Sequence, residues 1–218
     1  MEHDYWHQRW DENRIGFHLP EVNAHLRAYW PKLGLHQNKK VFVPLCGKSN
    51  DMIYLRDMGF QVVGIELNRD AIEAFFQENK IQATKIDLPE TDLSLWKSDS
   101  IEIYNGDFFK LSQTMLSDCE AVYDRAALVA LPPKMRQAYV RHLRAILPAR
   151  IKILLLSLEY DESKKQGPPF SVTQKMINDY FQAYYTVSLL ATHGTPDSQK
   201  SDSSQGLLIV DKVYLIES

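Results

Sequence analysis

The spacing of hydrophobic residues along this chain switches between the pattern of a β-strand and that of an α-helix, most clearly in residues 39–66. Residues 41–45 form a short β-branched and apolar run, and residues 50–58 have helix-forming character. Residues 62–65 form a second apolar run, which ends on Glu66. This order predicts a strand, a turn of small residues, a helix and a parallel second strand. Such a unit crosses over in a right-handed sense and places its turns at the carboxyl ends of the strands.

Further apolar runs predict the rest of a mostly parallel sheet. Residues 101–104, 120–123 and 151–158 each predict a strand, and the last run is apolar enough to be buried on both faces. Residues 184–191 and 207–216 are extended and are joined without a helix, which predicts an antiparallel hairpin. The polar residues between them, 192–206, predict a mobile loop.

Segments with the apolar spacing of helices lie between these predicted strands. An apolar face indicates helices that open at Pro20 and at Pro132–Pro133, and Pro31 with Gly34 ends the first of them. Other helical segments are predicted at residues 71–76 and 173–181, whereas the mixed sequence of residues 80–99 predicts a polar connection. The whole pattern is that of an α/β protein with helices on both faces of its sheet, and it lacks the two repeated βαβαβ halves of a dehydrogenase.

Length and composition limit the possible classes. A chain of 218 residues with 44% apolar and 24% charged residues predicts a single domain over residues 1–218. A net charge of −3 does not indicate the basic surface that binding to nucleic acid or an anionic membrane requires. The start has no apolar signal core and no apolar run is long enough to cross a bilayer, so we expect a cytoplasmic protein. Nothing indicates an extended interface, which predicts a monomer.

The opening unit points to a nucleoside ligand. Glu66 lies 21 residues after Leu45, where an acid can accept hydrogen bonds from ribose hydroxyls. The turn contains only Gly47, and a pyrophosphate needs several close backbone approaches, so a cofactor with an adenosine and no phosphates fits better. S-adenosylmethionine is such a cofactor. The alternative is a buried βαβ unit with an incidental terminal glutamate.

The two cysteines indicate neither a disulfide framework nor a metal site. Cys46 and Cys119 are far apart in sequence and have no metal-ligand spacing. Cys46 lies in the cofactor turn, where a small packing role is favoured over that of a nucleophile. Since no ligand cluster is present, the sequence predicts chemistry without a metal.

The segment before the first strand is rich in aromatic and histidine side chains. Exposed large aromatics are costly, so residues 1–34 predict either a lid over the site or a helix that caps the sheet edge of the core, residues 39–218. His7 and His18 are candidates to flank an acceptor, although a lone histidine is more often structural. The side chains concerned are Tyr5, Trp6, His7, Trp10, Phe17 and His18.

Two polar residues follow later strands. Asp107 lies in a loop at a carboxyl end, where it can accept a hydrogen bond from an adenine amino group or stabilise an Asx turn. Arg125 follows the fourth strand and can stabilise a substrate anion, since its guanidinium is permanently charged. The structural alternative is that Arg125 forms an ion pair with Asp124 or Glu159.

Four sequence blocks, in the same order, resemble the thiopurine S-methyltransferase family in its bacterial form. They are Val-Phe-Val-Pro-Leu-Cys-Gly-Lys-Ser at 41–49, Val-Val-Gly-Ile-Glu at 62–66, Tyr-Asp-Arg-Ala-Ala-Leu-Val-Ala-Leu at 123–131 and Gly-Pro-Pro-Phe-Ser-Val at 167–172. The resemblance runs from the tryptophan-rich start to the final hairpin. It implies a Rossmann-like class I methyltransferase fold, with a seven-stranded sheet whose last strand is antiparallel.

The resemblance also implies a function and a site. Family members use S-adenosyl-L-methionine, release S-adenosyl-L-homocysteine, and methylate the sulfur of thiopurines and aromatic thiols in detoxification. Some bacterial members are associated with selenium and tellurium compounds. The alternatives are a non-catalytic S-adenosylmethionine-binding protein and a methyltransferase for another small molecule. By resemblance, the cofactor contacts fall on Trp10, Leu45, Glu66, Asp107, Phe108 and Arg125.

Overall fold

The strands of the predicted βαβ unit lie at the centre of a nine-stranded sheet in the computed structural model, which describes residues 3–12, 14–16, 18–196 and 207–218. The strands are β1 Lys40–Val43, β2 Gln61–Glu66, β3 Thr84–Leu88, β4 Leu93–Lys97, β5 Ile101–Asn105, β6 Cys119–Arg125, β7 Lys152–Glu159, β8 Thr186–Pro196 and β9 Leu208–Glu217. The helices are α1 His3–Asp11, α2 Ala24–Tyr29, α3 Asp51–Asp57, α4 Arg69–Glu78, α5 Pro133–Ile146 and α6 Gln174–Phe181.

Seven of these strands form the predicted core sheet. The strands β5, β2, β1, β6 and β7 pair in parallel, in that order. Strand β9 then pairs antiparallel with β7, and β8 pairs antiparallel with β9. The mostly parallel sheet with an antiparallel terminal hairpin is therefore confirmed. Because the parallel strands share one direction, the turns after β1, β2, β5 and β6 meet at one edge of the sheet.

The prediction of a polar connection over residues 80–99 is wrong. Strands β3 and β4 form an antiparallel hairpin there, and β4 pairs antiparallel with β5 at the edge of the sheet. Four of the five residues of β3 are exposed, and its two apolar residues, Ile86 and Leu88, are too few to mark a strand from the sequence alone. The buried side chains of this hairpin come mainly from β4, where Leu93 belongs to the core, and β3 pairs with β4 along its backbone.

Helices cover both faces of the sheet. Alternate residues of the strands point to opposite faces, so that Val41 and Val43 pack in one core whereas Phe42 packs in the other. The first core is covered by α2, α3 and α4, and the second by α5 and α6. Within the described ranges, no helix is both long and apolar enough to cross a membrane.

Two element boundaries differ from the prediction. The first core helix begins at Ala24 and not at Pro20, because the side chain of Asn23 accepts hydrogen bonds from the N–H groups of His25 and Leu26 and caps the helix there. Residues 192–196 belong to strand β8 and not to a loop, since they pair with residues 208–212 of β9. The remainder of the predicted loop, residues 197–206, lies outside the described residues.

Candidate active site

A cavity of about 750 Å³ opens at the carboxyl edge of the sheet. Its walls come from the turns after β1, β2, β5 and β6, from α1 and from the loop that contains Pro168 and Pro169. The structure brings all six predicted site residues to this one cavity. They are Trp10, Leu45, Glu66, Asp107, Phe108 and Arg125.

Glu66 is a buried carboxylate fixed by the backbone. Its Oε2 accepts a hydrogen bond from the Gly47 N–H at 2.8 Å, and its Oε1 accepts one from the Asn68 N–H, also at 2.8 Å. Burial raises the pKa of Glu66, while the N–H donors of Asn68 and Gly47 act in the opposite direction. Each carboxylate oxygen has a second lone pair. The side chain can therefore still accept hydrogen bonds from hydroxyl groups in the cavity.

The turn after β1 brings the backbone close to the cavity. Leu45 has a left-handed backbone with φ 47°, and the next N–H, that of Cys46, donates to the Ile65 carbonyl at 2.9 Å. Gly47 also has a positive φ of 53°. A Cβ at this glycine would lie 3.3 Å from the indole ring of Trp10, so the N-terminal helix packs directly over the turn.

Asp107 and Phe108 form the wall after β5. The Asp107 side chain accepts a hydrogen bond from the Phe109 N–H at 3.0 Å, so the predicted Asx turn is present. Asp107 also lines the cavity. Phe108 is held from behind by aromatic rings, with its ring centroid 4.8 Å from that of Tyr139. This wall offers an apolar ring and an acidic side chain to a ligand.

Arg125 is the last residue of β6, and its guanidinium is not used by the protein core. Among the described residues, no hydrogen bond or ion pair joins it to another side chain. The structural alternative is wrong, because Asp124 accepts hydrogen bonds from Tyr139 and Leu128, and Glu159 pairs with Lys212. The following residue, Ala126, has a left-handed φ of 63°. A permanent positive charge thus lines the cavity, and no carboxylate of the described residues forms an ion pair with it.

Asp124 lies behind this edge of the cavity as a fully buried carboxyl group. It accepts a hydrogen bond from the Tyr139 hydroxyl at 2.7 Å and another from the Leu128 N–H at 3.1 Å. Burial raises the pKa of Asp124 to about 6, although both donors favour the charged form. Through these bonds the carboxyl ties the end of β6 to α5. Nothing in the sequence indicated that Asp124 would pair with Tyr139, which lies 15 residues further along the chain.

The other candidate residues of the N-terminal segment differ in position. Trp6 and His18 line the cavity, whereas the Nδ1 of His7 lies 3.3 Å from the Asn68 side-chain nitrogen, outside the residues that form the wall. Tyr5 packs edge to face against Trp6. Phe17 lies outside the described residues. The Cys46 thiol is buried and its pKa is raised by burial and by Glu66, which agrees with a packing role.

The proline loop contributes only part of the predicted apolar wall. Pro168 and Pro169 line the cavity, but Phe170 is not among the lining residues. Its N–H donates to the Val129 carbonyl at 2.7 Å, and its ring lies 5.5 Å from the guanidinium carbon of the buried Arg136. Phe170 therefore anchors the loop, while the two prolines face the ligand space.

Sequence reasoning missed the contribution of the C-terminal hairpin. Ile209 and Asp211 line the cavity because the antiparallel register places Asp211 opposite Leu158 of β7. His25, from the first core helix, also lines it, 3.7 Å from Asp211. The sequence could have identified these positions only if the register between β7 and β9 had been known.

The donor set fits an adenosine cofactor that has no phosphates. A buried carboxylate, an apolar aromatic wall and one glycine turn meet in the cavity, and these suit a ribose and a purine. A metal is a separate question. Of the described residues, no three or more His, Cys, Asp or Glu side chains are grouped so that they could hold a metal ion. Chemistry without a metal stays a prediction.

Comparison with known protein families and structures agrees with this geometry. The family model for thiopurine S-methyltransferase matches residues 1–218. A thiopurine S-methyltransferase of Pseudomonas putida is 42% identical over 217 residues, which cover 100% of both chains. One of Nitrosospira multiformis is 45% identical over 191 residues, 88% of this chain and 86% of that relative.

Solved structures show the fold. A SAM-dependent methyltransferase of Anabaena variabilis has a TM-score of 0.67 at 15% identity, and the match covers 99% of this chain and 94% of that one. A Burkholderia thailandensis N1-methyltransferase, solved with S-adenosylhomocysteine, has a TM-score of 0.57 at 12% identity, covering 97% and 86%. The sequence matches then decide the family within this fold. The chain belongs to the thiopurine S-methyltransferase family of S-adenosylmethionine-dependent methyltransferases.

Proposed function

We propose that this chain transfers the methyl group of S-adenosylmethionine to the sulfur of thiopurines and related aromatic or heteroaromatic thiols. The observation that carries the proposal is that Glu66 and the unpaired guanidinium of Arg125 line the same cavity. The first suits a ribose and the second an anionic acceptor. The names of the relatives support the same substrate class.

The chain's own residues then have separate tasks. Bound S-adenosylmethionine supplies a methyl group on a positively charged sulfur, and the leaving group departs as a neutral thioether that needs no acid. Glu66 holds the ribose, Asp107 and Phe108 receive the adenine, and Trp10 covers the cofactor turn. The protein must align the acceptor sulfur opposite the leaving sulfur and exclude water. Arg125 stabilises the acceptor as its anion, directly or through a water molecule.

The test is transfer of a labelled methyl group from S-adenosylmethionine to 6-mercaptopurine by the purified protein, with a reaction without acceptor as the control. We expect label in the methylated thiopurine only when both substrates are present. Binding of the cofactor in calorimetry without any transfer would support the alternatives, a non-catalytic binding protein or a methyltransferase for another small molecule. Absence of cofactor binding would overturn the assignment of the cavity.

The role of Arg125 has its own test. Arg125→Met removes the charge but retains an apolar chain of similar length, whereas Arg125→Lys retains the charge but loses the planar fork of donors. We expect turnover of 6-mercaptopurine to fall about 10²-fold or more in the methionine variant, as for loss of one stabilising donor. The lysine variant should retain more activity. Equal turnover of the wild type and Arg125→Met, with cofactor affinity unchanged, would remove Arg125 from the mechanism.

Selenium and tellurium compounds belong to the same proposal as further acceptors. Anions of these heavier elements are larger and more polarizable than a thiolate, and a cavity of about 750 Å³ with a free guanidinium can receive them. The same transfer assay with an aromatic selenol in place of the thiol tests this. Transfer to sulfur alone would restrict the enzyme to thiols.

We also propose that the enzyme acts as a cytoplasmic monomer on a small molecule and not on nucleic acid. The net charge of −3 supports a small-molecule substrate over nucleic acid, because nucleic-acid binding requires a basic surface. Light scattering coupled to size exclusion should give a mass near 25.3 kDa. A dimer mass would contradict the proposed monomer without affecting the reaction.

A further inference from the structure

His18 lies on the wall of the active-site cavity in an unusual environment. Its Nδ1 is buried and has no hydrogen-bond partner among the described residues, although buried polar atoms are nearly always paired. The ring lines the cavity together with Lys48 and Arg125. Because Nδ1 is enclosed by protein, Nε2 is the nitrogen that a molecule in the cavity can reach.

The surroundings of His18 favour the neutral imidazole. Burial lowers the pKa of His18, and so do the positive charges of Lys48, in the turn after β1, and of Arg125, at the end of β6. Glu78, at the end of α4, opposes them, but it is ion-paired with Lys48 at 2.6 Å. In the tautomer that can act as a base, Nδ1 carries the hydrogen and Nε2 keeps the lone pair. The lowered pKa keeps the ring neutral at neutral pH, so that one of its nitrogens retains a lone pair for a proton.

We propose that His18 is the general base for acceptors that are still protonated at neutral pH, an inference that rests on the proposed function. The acceptor sulfur, or the ring nitrogen of its thione form, gives its proton to Nε2. The sulfur then forms a bond to the methyl carbon as the bond between that carbon and the sulfonium breaks. The electron pair of the broken bond stays on the departing thioether, and the proton passes from Nε2 to solvent.

This role complements that of Arg125. The guanidinium stabilises an acceptor anion but cannot take its proton, because it is itself always protonated. His18 lines the same cavity, and its neutral imidazole, unlike the guanidinium, has a lone pair that can accept a proton. An acceptor that is already ionised needs only Arg125, whereas a protonated acceptor needs both residues. The requirement for His18 should therefore depend on the ionisation of the acceptor.

The first experiment compares two acceptors in His18→Gln and His18→Ala. His36→Gln serves as the matched control, because His36 is exposed and does not line the cavity. We expect kcat/KM for 6-mercaptopurine, assayed below its own pKa, to fall about 10²-fold in both His18 variants, as for loss of a general base. With 4-nitrothiophenol, assayed where it is ionised, the variants should stay within about threefold of the wild type.

The second experiment follows the proton without turnover. 6-Mercaptopurine is titrated into the S-adenosylhomocysteine complex by calorimetry in buffers of different ionisation enthalpy. In the wild type, the proton lost by the acceptor should stay on His18, so that the binding heat does not depend on the buffer. In His18→Gln, the acceptor should either release its proton to the buffer on binding or bind less tightly at low pH. His36→Gln should resemble the wild type.

Equal losses with both acceptors would indicate a structural role and would overturn the inference, as would identical proton release by the wild type and His18→Gln. These outcomes leave the proposed function intact, since the wild type still transfers the methyl group. Failure of the wild type to methylate either thiol would instead overturn the proposed function, and this inference with it.

Discussion

Two buried carboxyl groups lie at the ends of strands β2 and β6, on either side of β1, and their hydrogen-bond partners give them different roles. Glu66 ends β2 and accepts hydrogen bonds only from backbone N–H groups, so both of its oxygens retain lone pairs for a ligand. Asp124 lies in β6 and is enclosed by Tyr139 and Leu128, with no exposed surface. The first carboxyl faces the cavity, and the second holds the scaffold.

Glu66→Gln should weaken the binding of S-adenosylmethionine by about 1.5–3 kcal/mol, the range for hydrogen bonds to charged groups. The amide would retain the size of the side chain but turn an NH2 group toward one of the two backbone donors. Isothermal calorimetry measures the change. Glu73→Gln is the matched control, because Glu73 lies on the exposed part of α4 in an ion pair with Arg69. An affinity equal to that of the wild type would contradict the ribose role.

Asp124→Asn should change how stability depends on pH. The folded pKa of about 6 is above the ordinary value of 3.8, so the folded state binds more protons between these values. The stability contributed by Asp124 is present at low pH and is lost as the pH rises through about 6. Relative to the wild type, the asparagine variant should gain roughly 1–2 kcal/mol between pH 5 and pH 7.5.

Urea unfolding of both proteins at the two pH values gives this difference, and the pH dependence of all other groups cancels in it. A constant gap between the two proteins would show that Asp124 has an ordinary pKa in the folded state.

At the scale of elements, the close approach of β2 to the cofactor turn depends on Gly64. A Cβ at this position would lie 2.8 Å from the Sγ of Cys46, which is closer than real contacts allow. The turn after β1 can therefore pack against β2 only because residue 64 has no side chain. This contact fixes the Cys46 N–H on the Ile65 carbonyl and so helps to place Gly47 against Glu66.

Gly64→Ala should lower the free energy of unfolding by about 1–3 kcal/mol, the usual cost of overpacking a core. Cys46→Ala removes the sulfur, so the double variant should recover part of that loss. A double-mutant cycle from urea unfolding measures the coupling. Gly16→Ala is the control, since a Cβ there has nothing within 4 Å. Purely additive effects would contradict the proposed contact.

At the scale of the whole molecule, the site is assembled from the two ends of the chain around the sheet. Helix α1 brings Trp10 over Gly47, and strand β9 brings Asp211 to the same cavity. The central strands supply Glu66 and Arg125 between them. Segments that are distant in sequence thus close one ligand space.

Trp10 should report on cofactor binding. Binding of S-adenosylhomocysteine should change the tryptophan fluorescence, and Trp10→Phe should lose the part of this change that does not come from Trp6, which also lines the cavity. Trp96→Phe should keep it, because Trp96 stacks on Phe76 and does not line the cavity. Trp10→Ala should weaken cofactor binding by about 0.5–1.5 kcal/mol, as for one aromatic contact. Unchanged affinity and fluorescence would place the cofactor away from α1.

The sequence by itself determined the central βαβ unit, the segments that form the core strands and the position of Glu66 at a strand end. These features follow from local periodicity, because a residue that faces a core is apolar whatever its partner is. The same local blocks were enough to indicate the family. Hairpin β3–β4 escaped prediction because its first strand is short and mostly exposed, and the backbone pairing that holds it to β4 leaves no pattern in the sequence.

The tertiary structure alone decided which side chains meet in the cavity. The burial of the His18 Nδ1, the exposure of the Arg125 guanidinium to the cavity and the position of Asp211 opposite Leu158 all depend on contacts between distant segments. A one-residue change of register in the hairpin would turn Asp211 to the other face of the sheet, and the continuous apolar run at the end of β9 does not distinguish the two faces. Neighbours across the fold, and not neighbours along the chain, determine the chemistry of these groups.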